Sequence, residues 1–313
     1  MPLMPVCELW TPDTSGVFLR CAAGSYTGHD EFGEMTQGVV FAKGEGLPGR
    51  VWASKHPEIL ATLGAPSDFI RAKAAAATGL TAGIAIPILR HGAVVAVLNF
   101  LTAQHTRLTG IMEVWSPTYD GSMLAWHSGF YGPLSEIRDL RVATRFSPGE
   151  GLPGRAWKNR RPELVTKLTL TTDNFIRQEV AQGAGLTTGL SLPIMQGPYL
   201  KSVVTLLSTA EMPFGQVVEL WEPNEDGTRL VRRDGYYGRF GKFYDEEADR
   251  TFELGEGLPG QVWESGMPQL IAPLDRDSGF SRYQAAQSSD LSVAIGIPVI
   301  DNEKVTSVVL LLA

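Results

Sequence analysis

The stretch GEGLPGRVW at Gly44–Trp52 returns as GEGLPGRAW at Gly149–Trp157 and as GEGLPGQVW at Gly255–Trp263 in this 313-residue chain. Other landmarks keep the same spacing, among them a Glu-x-Trp string at Glu8-Leu9-Trp10, Glu113-Val114-Trp115 and Glu219-Leu220-Trp221. A repeat of about 100 residues is the size of a domain rather than of a solenoid turn. The sequence therefore predicts three tandem domains, residues 1–104 (unit 1), 105–210 (unit 2) and 211–313 (unit 3).

The alternation of apolar residues and the turn residues predict the same elements in each unit. For unit 1 they are strands at Val6–Trp10, Val17–Cys21, Val39–Ala42, Glu58–Leu63, Thr81–Leu89 and Ala93–Thr102, and helices at Pro48–Ser54 and Ser67–Gly79. The fold class is α+β, with three antiparallel sheets arranged head to tail. Short joints between the units predict a rigid array, with domain boundaries near residues 104–106 and 209–212.

Four strings of unit 1, GEGLPGRVWASKHP, PSDFIRAKAAAATGL, GIAIPI and AVVAVLNF, resemble GAF domains. The likeness is greatest to GAF modules of bacterial hybrid sensor kinases, and it covers nearly the whole chain as three copies. The resemblance implies sensory modules that bind small molecules or proteins. Each unit starts and ends in a strand, where GAF domains usually carry long signalling helices. No stretch of the 313 residues resembles an output segment such as a kinase or a DNA-binding domain, so we expect none.

The expected function is a non-enzymatic sensory, regulatory or scaffolding protein that binds a small molecule or a partner protein. Two alternatives stay open at this point. One is a structural subunit of a larger assembly. The other is a cysteine-dependent reductase, because the free methionine sulfoxide reductases, a related family, use cysteines on a GAF scaffold.

The overall charge restricts the partners. The formal net charge of −7 disfavours nucleic acid and anionic membrane surfaces. No apolar run reaches the roughly 18–20 residues of a membrane-spanning helix, and the N-terminus does not resemble a signal peptide. We therefore expect a cytoplasmic protein that neither binds nucleic acid nor inserts into a membrane.

A candidate ligand site lies between the sheet and the two helices of each unit, where concave apolar clefts form. An aromatic residue and an arginine recur there with a tryptophan, as Phe69, Arg71 and Trp52 in unit 1, Phe175, Arg177 and Trp157 in unit 2, and Phe280, Arg282 and Trp263 in unit 3. The arginine would orient an anionic group. Unit 1 is the favoured site, because the alanines of its second helix leave space.

Each of these residues also has a structural interpretation. The arginines fit an internal ion pair, and Glu45, Glu150 and Glu256 recur in step with them. The tryptophans fit core anchors. The glycine-rich string fits a turn better than a phosphate cradle, because its centre carries a glutamate and a proline.

Cys7 and Cys21 are expected opposite each other on the first hairpin, as packed thiols or as a redox pair. The five histidines do not cluster, and no metal-ligand spacing is present. The Cys-His pair that attaches bilins in GAF domains is absent. No metal and no cofactor is therefore expected.

Overall fold

The computed structural model describes residues 4–64, 69–103, 110–168 and 178–313. Each unit forms one six-stranded antiparallel sheet, and short helices cover one face of that sheet. This confirms the predicted α+β class and the three-sheet architecture. The predicted boundary near residues 104–106 lies outside the described residues.

Unit 1 contains strands β1 (Val6–Pro12), β2 (Phe18–Tyr26), β3 (Val40–Ala42), β4 (Glu58–Leu60), β5 (Leu80–Arg90) and β6 (Ala93–Ala103), with helices α1 (Asp30–Thr36), α2 (Gly46–Ser54) and α3 (Ala72–Ala77). Unit 2 contains β7 (Ile111–Pro117), β8 (Leu124–Phe130), β9 (Arg145–Phe146), β10 (Glu163–Val165), β11 (Leu186–Gln196) and β12 (Tyr199–Thr209), with α4 (Ser135–Leu140), α5 (Gly151–Asn159) and α6 (Gln178–Gly183). Unit 3 contains β13 (Val217–Pro223), β14 (Arg229–Tyr236), β15 (Thr251–Glu253), β16 (Gln269–Ile271), β17 (Ala294–Asp301) and β18 (Lys304–Leu312), with α7 (Gly241–Glu246), α8 (Gly257–Ser265) and α9 (Tyr283–Ser288).

The strand order is the same in all three sheets. In unit 1 it is β3-β2-β1-β6-β5-β4, and units 2 and 3 repeat it. Helix α1 was missed by the sequence prediction, which placed a loop there. The helix predicted at Ser67–Gly79 is formed only over Ala72–Ala77 within the described residues, and Ser67 itself lies outside them.

The glycine-rich string forms the tight turn that leads from β3 into α2, as predicted. The Gly44 amide donates to the Gly49 carbonyl at 2.8 Å, and the Glu45 amide donates to the Ala42 carbonyl at 3.0 Å. At Gly49 the two backbones are so close that a Cβ would lie 2.2 Å from the Ala42 oxygen. Glycine is therefore required there for packing.

Both faces of each sheet are buried. In β18, Val308 and Leu310 belong to the core under the helices of unit 3, whereas Val309 and Leu311 belong to a second core that contains residues of all three units. Since successive side chains of a strand point to opposite faces, one face packs on helices and the other on the neighbouring units. This explains why the last two strands of each unit are nearly continuous apolar runs.

The three units close into a ring with approximate threefold symmetry. Strand β4 of unit 1 packs on β7 and β8 of unit 2, and β16 of unit 3 packs on β1 and β2 of unit 1. Arg161 of unit 2 pairs with Glu222 of unit 3. The expected head-to-tail order is thus present, but the array is closed rather than linear.

Strands β5, β11 and β17 contact one another at the centre of the ring. The short strand β4 covers the outer edge of β5 only over Gly83–Ala85, so the rest of that edge has no strand partner. Pro87, Pro193 and Pro298 lie on these uncovered edges and line a narrow apolar cavity of about 30 Å³ on the axis. A proline has no N–H, so it leaves no backbone donor unpaired at the centre.

Among the described residues, no helix is long and apolar enough to cross a membrane.

Replacing Gly49 by alanine should lower the free energy of unfolding by about 2 kcal/mol or more, because the new methyl group must push the Ala42 carbonyl away. Gly64→Ala is the matched control, since the nearest atom to its added Cβ is the Thr62 hydroxyl at 3.5 Å. Urea unfolding of both variants measures the difference. Equal stabilities would contradict the close approach.

Candidate functional site

The predicted arginine of unit 1 binds a buried carboxylate of its own chain. The Arg71 guanidinium donates to both oxygens of Glu8, at 2.5 Å through Nη1 and at 2.8 Å through Nη2. Nη1 also donates to the Thr36 hydroxyl at 2.8 Å. Only 5% of Arg71 and none of Glu8 is exposed. Such a bidentate pair uses the planar fork of arginine fully.

Strand geometry places Glu8 at this point. Glu8 and Trp10 lie two residues apart on β1, on the face that the helices cover. The Trp10 indole donates to Glu8 Oε2 at 3.0 Å, the Asn99 amide donates to the same oxygen at 2.8 Å, and the Tyr26 hydroxyl donates to Oε1 at 3.3 Å. The carboxylate is thus surrounded by donors from three strands and one helix terminus.

Four aromatic rings enclose the guanidinium of Arg71. Its central carbon lies 4.8 Å from the Phe32 ring centroid, 5.3 Å from Phe69, 5.5 Å from Trp10 and 5.7 Å from Phe41. A cation held over ring faces in a dry environment gains electrostatic attraction from each ring. The candidate pocket of unit 1 is therefore filled by the protein's own cation.

Unit 3 repeats this arrangement. Arg282 donates to the two oxygens of Glu219 at 3.0 and 2.8 Å, and the Trp221 indole and the Tyr237 hydroxyl also donate to that carboxylate. The rings around the guanidinium are those of Trp221, Phe243, Phe252 and Phe280, at 5.0–5.8 Å.

Unit 2 shows the carboxylate side of the same cluster. The Trp115 indole donates to Glu113 at 3.1 Å, and the Tyr131 hydroxyl donates to it at 2.8 Å. Phe175 and Arg177, the predicted site residues of this unit, lie outside the described residues.

The internal ion pair is thus confirmed for units 1 and 3, but the partner suggested by the sequence is wrong. Glu45 accepts a hydrogen bond from the Ala42 amide at 2.9 Å, and Glu150 and Glu256 do the same for Ser147 and Glu253. These glutamates therefore cap the glycine-rich turn. The signal for the true partner was the repeated Glu-x-Trp string, which the sequence analysis used only as a landmark.

The pKa of Glu8 is lowered in the folded protein. Burial alone would raise it, but the charge and hydrogen bonds of Arg71, with those of Asn99 and Trp10, outweigh burial. Glu219 follows the same pattern with Arg282. A carboxyl group with a lowered pKa stabilises the fold above its ordinary range, and this contribution is lost as the pH falls through its folded value.

The tryptophans of the glycine-rich string differ in burial. Trp52 is 6% exposed, whereas Trp157 and Trp263 are only partly buried. The core interpretation is therefore confirmed for Trp52. The tryptophans of the Glu-x-Trp strings are all fully buried.

The two cysteines are not opposite each other. The hairpin turn lies between Pro12 and Phe18, so Cys7 pairs with Ser25 and Cys21 pairs with Trp10. A β-bulge between Leu9 and Trp10 shifts the register by one residue only. At roughly 3.3 Å per strand residue, the two cysteines are too far apart along the hairpin for a disulfide. Burial raises the pKa of the Cys7 thiol strongly, and burial and the charge of Glu8 raise that of Cys21 to about 11.

Two grooves open on unit 3. One, of about 530 Å³, includes Arg232, Tyr237, Tyr244 and Arg250 in its lining. The Arg232 guanidinium lies 4.9 Å from the Tyr244 ring and donates to the Ala248 carbonyl at 2.7 Å. The other groove, of about 500 Å³, lies beside Glu211, Gln216, Tyr236 and Arg239. Within the described part of the chain, no group of three metal-ligating side chains occurs.

No family model and no curated protein matches the chain. Solved structures do match, each over about a third of it. The A. aeolicus nlh2 GAF domain in an inactive state is 22% identical and covers 32% of this chain and 58% of its own, with a TM-score of 0.27. The GAF domain of Acinetobacter phosphoenolpyruvate-protein phosphotransferase is 19% identical and covers 32% and 56%, with a TM-score of 0.25.

The free methionine-R-sulfoxide reductase from Neisseria meningitidis, solved with its substrate, is 17% identical and covers 31% of this chain and 51% of its own, with a TM-score of 0.25. This chain thus matches little more than half the length of these proteins. GAF domains are among them, in agreement with the sequence resemblance. Each likeness concerns the fold of one unit.

Replacing Arg71 by alanine should lower the free energy of unfolding by about 3–5 kcal/mol, because Glu8 is left charged and buried without its partner. Arg20→Ala is the control and should change it by less than about 0.5 kcal/mol, since that side chain is 60% exposed. Denaturant unfolding measures both. A small loss in Arg71→Ala would show that the pair is not essential to the fold.

Alkylation of the thiols should be slow. With a pKa of about 11 against an ordinary 9.0, Cys21 holds about a hundredfold less thiolate than a free thiol near neutral pH. Iodoacetamide labelling followed by mass spectrometry should modify Cys21 before Cys7, which is more deeply buried. Labelling of both at the rate of a free thiol would contradict this assignment.

Proposed function

We propose that this protein acts by binding rather than by catalysis, as a non-enzymatic regulatory or scaffolding protein whose three units form one rigid body. The observation that carries the proposal is that side chains of the protein already fill the space between the sheet and the helices. In units 1 and 3 the space predicted for a ligand holds Arg71 or Arg282, with its carboxylate and four rings. A ligand there would have to displace a fully buried ion pair.

The closed ring supports the scaffolding part of the proposal. One apolar core contains residues of all three units, and polar contacts join the turns around the axis. Arg160 of unit 2 pairs with Asp301 of unit 3, and Arg90 of unit 1 donates to the Ser265 carbonyl of unit 3 at 2.6 Å. Such a body holds its outer surfaces in fixed relative positions, which suits a protein that assembles partners.

A sensory function is the second candidate, and the groove at Arg232 favours it. Its volume of about 530 Å³ falls within the usual range of small-molecule pockets. The partly exposed ring of Tyr244 offers flat apolar contact, and Arg250, which pairs with Glu256, offers a polar group at the rim. Arg232 lies inward, with its side chain 10% exposed and 3.8 Å from Glu219. The groove therefore fits a flat ligand with a polar group that reaches Arg250, and it lies in unit 3 rather than in unit 1.

The reductase alternative finds less support. Reduction by cysteine needs a thiolate nucleophile. Both thiols have raised pKa values, and the strand register places Cys7 and Cys21 opposite other residues. We therefore propose that neither cysteine is catalytic.

Native mass spectrometry and gel filtration separate the two binding functions. A scaffold should elute in a large complex when recovered from its source and as a 34.0 kDa chain without ligand after purification. A sensor should keep a small molecule of defined mass. Small-angle scattering of the purified chain should fit a single compact ring. A broad ensemble of shapes would contradict the rigid body.

If the groove at Arg232 holds a ligand, Tyr244→Ala should weaken its binding about tenfold or more, because a partly exposed ring that contacts the ligand is lost. Tyr199→Ala is the matched control, since Tyr199 is 75% exposed on a hairpin of unit 2. Calorimetric titration of a library of aromatic carboxylates measures both. Equal affinities in the two variants would place the ligand elsewhere.

A further inference from the structure

The contacts between neighbouring units, here called the joints of the ring, have different types of side chain at equivalent positions. The residue before a repeated proline is His56 in unit 1, Arg161 in unit 2 and Met267 in unit 3. Each lies just before a short strand, β4, β10 or β16, at the contact with the neighbouring unit. The repeat spacing therefore allows the three joints to be compared residue by residue.

At the joint of units 1 and 2, two histidines face each other. The ring centroids of His56 and His127 lie 4.4 Å apart. His56 Nε2 lies 2.9 Å from the Ser116 hydroxyl of unit 2, and Nδ1 lies 2.9 Å from the Pro57 carbonyl. A carbonyl only accepts, so Nδ1 donates, and neutral His56 then accepts from Ser116 through Nε2.

At the joint of units 2 and 3, the equivalent residues form a network of ion pairs. Arg161 Nη1 lies 3.2 Å from Glu222 Oε2, where unit 2 has Ser116. Arg233, which replaces His127, lies 2.7 Å from Glu222 and 4.0 Å from Glu163. Opposite charges thus face each other across this joint.

At the joint of units 3 and 1, the contact at the equivalent positions is apolar. Polar contacts lie nearby, where Arg90 donates to the Ser265 carbonyl and the His91 amide donates to Glu303. Met267 packs against the core that contains residues of all three units. The positions equivalent to Ser116 and His127 are Thr11 and Ala22. Neither residue titrates, so this joint has no proton-dependent contact at these positions.

Two basic side chains of unit 2 face His56. These are His127 on β8 and Lys201 on β12, both of which disfavour its protonation. On its own segment, Lys55 donates to the Gly92 carbonyl, and Glu58 is paired with Arg50 at 2.8 Å. Burial is the largest cause that lowers the pKa of His56, to about 4, against the raising effect of the Pro57 carbonyl.

We propose that the joint of units 1 and 2 is a proton-sensitive joint, which loosens when His56 becomes charged while the other two joints stay closed. A charged His56 ring no longer accepts the hydrogen bond of the Ser116 hydroxyl through Nε2, and it faces the positive charge of Lys201. A histidine with a lowered folded pKa stabilises the closed form above its unfolded pKa and loses that contribution as the pH falls below it. The ring then opens at one defined place.

Hydrogen exchange measured segment by segment tests this on the intact chain. Between about pH 7.5 and about pH 5, after correction for intrinsic exchange rates, protection of β4 and of the β7–β8 hairpin should fall about tenfold or more. Strands β10 and β16, at the other joints, are internal controls and should keep their protection. An equal loss at all three joints, or no loss at β4, would overturn the proposal.

Two variants assign the effect to the histidines. His56→Gln stays neutral and should remove most of the pH dependence at β4. The triple variant His56→Arg, Ser116→Glu and His127→Arg copies the ionic joint of units 2 and 3, and its β4 should become insensitive to acid in this range. If His56→Gln keeps the full pH dependence of the parent chain, His56 is not the sensor. An NMR titration of His56 in the parent chain that gives an ordinary pKa would exclude the proposal as well.

Discussion

The rest of the architecture depends on one constraint: the partly uncovered outer edges of β5, β11 and β17 must be protected. Each strand has 8 to 11 residues, but its outer neighbour covers only three of them. An exposed apolar edge invites pairing with other chains. The ring satisfies this constraint, because the three edges meet on the axis and each presents a proline instead of an amide donor. Closure also buries the second face of every sheet, which a single unit would leave in water.

In units 1 and 3, a buried glutamate and its arginine organise the other face of the sheet, the one that the helices cover. Each pair ties the first strand of a unit to the start of its last helix, 63 residues later in units 1 and 3. A buried pair of charges contributes little net stability when intact and costs much when one partner is lost. Its effect is therefore specificity, since it fixes where the short helix sits on the sheet. The same pair occupies the space in which a small molecule was expected.

The repeat and its apolar alternation were sufficient to predict the three sheets and most strands. Helix α1 was missed because its Gly33 resembles a loop residue, whereas it is small so that the Tyr26 ring can pack against it, within 2.7 Å of where a Cβ would lie. The cysteine register was wrong because the turn was expected too early in the chain: Cys7 would face Cys21 only if the turn centred on residue 14, whereas it lies between Pro12 and Phe18. The Glu8 partner of Arg71 is 63 residues distant, and no local pattern links the two. Ring closure depends on surfaces between units, which periodicity within one unit does not describe.

A single chain with threefold architecture can differ at each of its joints, and a homotrimer of identical subunits cannot. In a homotrimer every substitution at the interface occurs three times, so a loss of about 1 kcal/mol at one contact becomes about 3 kcal/mol for the assembly if the sites are independent. Here a change at His56, Arg161 or Met267 affects one contact alone. Fusion of the three units thus lowers the stability cost of each substitution, and it allows a histidine pair, an ionic network and an apolar contact at equivalent positions of the same ring.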